Sequence, residues 1–321
     1  LLYPFLKILS RLALPIWCRH LIINKPDLLK EKGPLLLACN HPNSFLDSVL
    51  LDTIFKEPVW SLARGDVFKK PFYIKLLTAL KILPVYRTSE GTENLSENYK
   101  TFDECIKIFK QNGVICIFSE GKCINEWHLR PLKKGTARLA VKAWDENIPL
   151  KVLPVGINFS SFNLFGKNII MNFGEIISRD DIVLTDADGL KHQSFNNKLQ
   201  EQLEKLVIEI PLHDMVKQES VFKIEKKWFQ KILLTLPAAA GWLFHWPLFS
   251  PLKKFVKTKT KNTDHYDSVI MALLMLSYPI YLLLLTFIVW FVSGNGWSFS
   301  LLLILPFTAW SCVQLKKQTD H

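Results

Sequence analysis

No feature of this sequence restricts its fold more than the uninterrupted apolar run at residues 269–292, closed by Ser293-Gly294-Asn295-Gly296 and followed by a second run at 297–313. A helix needs about 20 apolar residues to cross the hydrocarbon core of a bilayer, where every backbone N–H and C=O must be satisfied within the segment. The two runs therefore predict a transmembrane hairpin over 266–321, with a pair of buried core helices as the alternative. Lys259 and Lys261 precede it, and Lys316 and Lys317 follow it. Because Lys and Arg collect on the cytoplasmic side, both ends, and the domain before them, are expected there.

Residues 232–249 are also apolar but contain Pro237 and Pro247, with lysines on both sides (Lys226, Lys227, Lys231; Lys253, Lys254, Lys257). Basic residues at both ends argue against a single crossing, so 232–265 is expected to be a re-entrant or interfacial segment with a basic loop. The first 17 residues are apolar but carry Pro4, Lys7, Arg11 and Pro15. That is a poor secretory signal and predicts an in-plane amphipathic helix within 1–26, a core-packing helix being the alternative.

The rest of the composition agrees with a membrane setting. Hydrophobic residues make up 49% against 21% charged, and the net charge of +11 calls for an anionic partner. Zinc-finger spacing and aromatic RNP-type runs are missing, and the basic residues flank apolar segments, so membrane lipid is expected rather than nucleic acid. Six cysteines occur without a CxxC pair, as expected of free thiols on a reducing side. No Gly-rich phosphate loop, His cluster or metal-ligand spacing occurs.

Between residues 27 and 178 short apolar runs at 35–39, 59–63, 82–85, 114–118 and 151–155 alternate with helix candidates at 94–111 and 132–145, and a last strand is expected at 168–173. Nearly continuous apolar runs suit strands covered on both faces, and the alternation predicts an α/β domain. Residues 179–231 are polar and rich in helix formers, a helical extension and connection.

Within this domain the chemistry concentrates in Asn40-His41-Pro42-Asn43-Ser44-Phe45-Leu46-Asp47. His41 follows a strand and precedes a helix predicted over 45–55, at the kind of turn where α/β sheets collect their sites. It is a candidate general base, with Asp47 as the carboxylate that orients its ring. The same residues also read as a capping box, Ser44 capping and Asp47 reaching back. Asn40 reads equally as a turn former.

Three further segments complete a pattern: Ile82-Leu83-Pro84-Val85-Tyr86-Arg87, Phe118-Ser119-Glu120-Gly121 and Val152-Leu153-Pro154-Val155. With the His41 segment they resemble, in order and spacing, the four motifs of the glycerolipid acyltransferase family, which includes 1-acylglycerol-3-phosphate and glycerol-3-phosphate acyltransferases. The resemblance covers 34–173. It departs from the family in having five residues between His41 and Asp47 where four are usual, Lys81 for the second motif's Gly, Ser119 for the third motif's Pro, and Lys122-Cys123 for its Thr-Arg.

The resemblance implies a mixed twisted sheet flanked by helices and a direct attack of an acceptor hydroxyl on an acyl thioester, with acyl-CoA or acyl carrier protein as co-substrate and no cofactor. His41 and Asp47 would be catalytic; Arg87, Glu120 and Gly121 would meet the acceptor's phosphate and glycerol, with Asn40, Lys122 and Lys134 as further substrate contacts. The expected reaction is acylation of 1-acylglycerol 3-phosphate to phosphatidate. Glycerol 3-phosphate or another lysolipid as acceptor, thioester hydrolysis, and a non-catalytic lipid-binding protein of the same fold are the alternatives.

Overall fold

The structure is a computed structural model that describes residues 2–86, 95–182 and 188–320. Its centre is a seven-stranded sheet. The strands are β1 (Cys18–Ile23), β2 (Leu35–Cys39), β3 (Val59–Arg64), β4 (Ile82–Val85), β5 (Val114–Phe118), β6 (Lys151–Phe159) and β7 (Lys167–Phe173), in the spatial order β1-β7-β6-β2-β5-β3-β4. Neighbours run parallel except β6 and β7, which are antiparallel, so the sheet is mixed. Every residue of β2 is buried, as its apolar run predicts.

The sheet is covered on both faces because alternate strand residues point opposite ways. Leu36, Ala38, Ile115 and Ile117 face one side and pack with α4 (Leu95–Lys110), α5 (Lys134–Asp145) and α6 (Asp188–Leu206). Leu35, Leu37, Cys39, Val114 and Cys116 face the other and pack with α2 (Phe45–Ile54) and the end of α1 (Leu2–Trp17). The chain thus leaves β2 toward one face and the adjacent β5 toward the other. A crevice opens at such a switch point, at the carboxyl ends of the strands.

The N-terminal segment differs from its expected form. Only residues 2–17 are helix; β1 continues from it as an edge strand, parallel to β7. The charges of α1 point inward. Lys7 pairs with Asp52 at 3.1 Å, and Arg11 donates to the carbonyls of Thr53 and Phe55 at the end of α2. This leaves Phe5, Ile8 and Leu12, one stripe at helical spacing, exposed on the outer side.

After α3 (Pro71–Ala79) and the polar α7 (Met215–Phe222) come three helices long and apolar enough to cross a membrane: α8 (Trp228–Lys259), α9 (Tyr266–Ser293) and a last stretch, Gly296–Leu315, that ends in α10 (Leu301–Leu315). The hairpin expected from the sequence corresponds to the second and third. Most of the segment expected to be re-entrant or interfacial, 232–265, lies in α8, one helix of 32 residues containing Pro237, Pro247 and Pro251. Its two ends are each tied to neighbouring segments. Near its start Lys231 pairs with Glu225, and the adjacent Ile224 N–H donates to Gln318. Near its end Val256 packs on Tyr266 and Ile270, at the beginning of α9. Its middle crosses α10 at Gly241, where an added Cβ would lie 2.1 Å from the Thr308 carbonyl oxygen.

Candidate active site

His41 is held at the carboxyl end of β2 by its neighbours on three strands. Asn40 uses its side-chain amide as a backbone surrogate: Nδ2 donates to the Ile157 carbonyl at 3.0 Å, and Oδ1 accepts the Ile157 N–H at 2.8 Å. Both groups are consumed and buried, so the expected substrate contact from Asn40 is replaced by a clamp between β2 and β6. The His41 N–H donates to Glu120 Oε2 at 2.9 Å, and its ring stacks on Phe118 with centroids 3.9 Å apart.

Asp47 Oδ2 lies 2.9 Å from His41 Nδ1 and also accepts the Asn43 N–H at 2.9 Å. A carboxylate can only accept, so Nδ1 carries the proton and Nε2 keeps its lone pair. The Asp47 carboxyl is 0% exposed, and its Oδ1 is buried without a partner among the described residues. Burial raises its pKa above the usual carboxylate range, while the bonds from His41 and Asn43 pull the other way.

The fifth intervening residue is absorbed at Ser44, whose φ of 52° and ψ of −142° lie in territory normally left to glycine. No capping box forms there. Asp47 reaches back to Asn43, and the Ser44 side chain makes no cap bond. Instead Ser44 is gripped from outside: its N–H donates to Cys123 Sγ at 2.8 Å, and its Oγ lies 2.7 Å from His265 Nδ1. Burial pushes the Cys123 thiol up to about 12, so it remains protonated.

The start of α9 continues this grip. Asn43 Nδ2 donates to Asp267 at 2.6 Å, and Asp267 forms a buried ion pair with Lys167 of β7. Ser268 Oγ donates to the Asn43 carbonyl at 2.8 Å and accepts the Leu46 N–H at 3.1 Å. The turn that carries the His41–Asp47 pair is therefore built jointly by β2, α2 and the first turn of α9. Sequence reasoning took His265 for an isolated histidine and gave Asp267 and Ser268 no role. The one signal was three polar residues immediately before an apolar span, which reads as an ordinary helix start.

Glu120 is buried, and both its oxygens are engaged: Oε2 by His41 N–H and the Arg130 guanidinium, Oε1 by Arg130 N–H. In this geometry Glu120 orders Arg130 beside the His41 turn. Arg130 also pairs with Glu126 at 3.2 Å and donates to the Lys122 carbonyl, so a guanidinium stands near Cys123, where the resemblance had implied a missing arginine. Gly121 turns the chain with φ of 71°. Lys122 and Lys134 are exposed, Lys134 as the first residue of α5. Arg87 lies outside the described residues.

The model of a family described as Acyltransferase matches residues 20–158, from β1 to the end of β6. The 1-acyl-sn-glycerol-3-phosphate acyltransferase of Borreliella burgdorferi is 24% identical over 172 residues, which cover 53% of this chain and 64% of that protein. Glycerol-3-phosphate O-acyltransferase 2 of Saccharomyces cerevisiae is 22% identical over 196 residues, covering 58% of this chain and 25% of that one. The chain thus spans less than two thirds of either relative. Among solved structures, the 1-acyl-sn-glycerophosphate (LPA) acyltransferase PlsC from Thermotoga maritima is similar at a TM-score of 0.46 and 14% identity, over 64% of this chain and 78% of that one.

Proposed function

Because this chain carries, at residues 20–158, an acyltransferase domain of the glycerolipid acyltransferase family, we propose that it moves a fatty acyl group from an acyl thioester to the free hydroxyl of 1-acylglycerol 3-phosphate, giving phosphatidate. The observation that carries the reading is the 2.9 Å bond between His41 Nδ1 and a fully buried Asp47 carboxylate. It leaves Nε2 as the base. The hydroxyl gives its proton to Nε2 as its oxygen attacks the thioester carbonyl. Asp47 stabilises the imidazolium that forms, and the departing thiolate takes the proton back as the C–S bond breaks. His41 is followed by no residue that must act as a covalent nucleophile, so the acceptor attacks directly.

Lys122 and Lys134, exposed near the Gly121 turn, together with Arg87, supply positive charge for the acceptor's phosphate. The acyl donor is acyl-CoA or acyl carrier protein. The apolar helices suit an acceptor already dissolved in the bilayer, and the lysines flanking the hairpin support a cytoplasmic catalytic domain.

Purified protein in detergent, given 1-acylglycerol 3-phosphate and acyl-CoA or acyl carrier protein thioester, should form phosphatidate, and His41→Ala should reduce the rate by about 10²–10⁴-fold. Wild-type protein that forms none would refute the reading. The yeast relative's printed activity favours a second acceptor, glycerol 3-phosphate. Competition between the two acceptors at equal concentration separates them: a dominant monoacyl product would replace the first assignment.

A further inference from the structure

A cavity of about 920 Å³ lies outside the His41 turn, between α1, the β6–β7 loop, α8, α9 and α10. Its size is at the upper end of the roughly 300–1,000 Å³ usual for ligand sites. None of His41, Asp47, Glu120 and Lys122 lines it. Most of its wall is apolar, and its polarity is graded along its length.

At the end next to the catalytic domain the wall contains Lys253, Lys316 and Lys317, close to where Arg19 of β1 donates to the Val313 and Lys316 carbonyls. From there α10 lines the cavity back to Leu302. At 1.5 Å per residue, the distance from Lys316 to Leu302 is about 21 Å, more than the roughly 15 Å that is half of a bilayer's hydrocarbon core. Along that length the wall includes Trp246, Met275, Leu282 and Pro306.

The three lysines are unmatched. None has a carboxylate within 4 Å among the described residues, and the nearby Glu219 and Glu225 are already paired with Lys223 and Lys231. The Lys316 ammonium sits 4.7 Å from the centre of the Phe249 ring, and Lys253 lies 5.8 Å from the same ring. An aromatic face attracts a cation but does not neutralise it; an ammonium held against an apolar wall without a counter-ion is costly, and Lys316 is the half-buried one of the three, with Lys253 and Lys317 exposed beside it. A chamber cationic at the membrane surface and apolar for one leaflet's depth has the shape and charge of a single lipid.

We infer that this cavity holds one phospholipid with an anionic headgroup, its phosphate at Lys253, Lys316 and Lys317 and an acyl chain along α9 and α10. The site is independent of the acyl-transfer reading, since it shares no residue with the His41 turn. A bound lipid there would fill the space enclosed by α1, α8, α9 and α10.

Native mass spectrometry of protein reconstituted in mild detergent with dioleoyl phosphatidylglycerol or dioleoyl phosphatidylcholine tests the inference. One phosphatidylglycerol should be retained per chain, at least tenfold more readily than phosphatidylcholine. The triple variant Lys253→Gln, Lys316→Gln, Lys317→Gln should lose that preference, while Lys254→Gln, on α8 but outside the cavity wall, should keep it. Ala309→Trp, which fills the apolar wall and leaves the lysines in place, should lower retention of both lipids. Equal retention of the two lipids by wild type, displacement of the retained lipid by free phosphate, or unchanged preference in the triple variant would overturn the site.

Discussion

At the scale of single residues, the site balances two strained elements against each other. Asp47 is a buried carboxyl whose pKa is raised above its unfolded value, with burial as the main cause. For an acid the sign is unfavourable: ionising it in the folded state costs stability that grows as pH rises from the ordinary carboxylate range to the raised value. Asp47→Asn should therefore melt no lower than wild type at neutral pH, and relatively higher there than at acid pH, while acyl transfer falls by roughly 10³–10⁴-fold through loss of the imidazole's orienter. Thermal melts at two pH values beside a rate assay check both halves. Ser44 is the second element. Ser44→Ala keeps the unfavourable φ and loses the Oγ contact to His265, so it should cost about 1 kcal/mol. Ser44→Gly loses the same contact but relieves the backbone, and should be the more stable of the two by about 1–3 kcal/mol. The opposite order would show that Ser44 is not strained.

At the scale of elements, the helix starts that fasten the site carry the largest expected effects. Lys167→Met leaves Asp267 buried with only Asn43 for support, and breaking a buried pair in this way costs about 3–5 kcal/mol. The variant should unfold at markedly lower temperature in detergent and lose acyl transfer with the loss of the turn. Gly241→Leu places a side chain where even a Cβ meets the Thr308 carbonyl at 2.1 Å. It should separate α8 from α10 at a cost of about 1–3 kcal/mol, read as a drop in melting temperature. The strands at 35–39, 59–64, 82–85 and 114–118 were readable because continuous apolar runs are what a doubly covered sheet requires. β1 was not, because Arg19 and His20 make it look polar; the Arg19 side chain is satisfied by carbonyls at the end of α10, almost 300 residues away in sequence. The continuity of α8 was hidden for another reason. Proline signals a break in water but is tolerated inside long apolar helices, and α8 runs on through all three of its prolines.

At the scale of the molecule, the His41–Asp47 pairing was legible and its supports were not. His41 and Asp47 stand six residues apart, and motif order named them. Their fixation depends on residues 265–268 and on Lys167, which no local pattern connects with the turn. A chain ending at residue 261 keeps the whole stretch 20–158 and should still transfer no acyl group in detergent. Adding back residues 262–321 as a separate fragment should restore turnover. Full activity of the shortened chain would show that the contacts from α9 do not matter.

The grip of α9 on the turn also orders events in time. His41 leaves the ribosome more than 200 residues before His265, Asp267 and Ser268, and those three stand at the start of a helix long and apolar enough to cross a membrane. Until that helix is translated and docked, Asn43 and Ser44 lack the partners it supplies. The turn thus gains its full set of partners only when the far end of the chain has been made, and a nascent chain that stops short of α9 holds it unfinished.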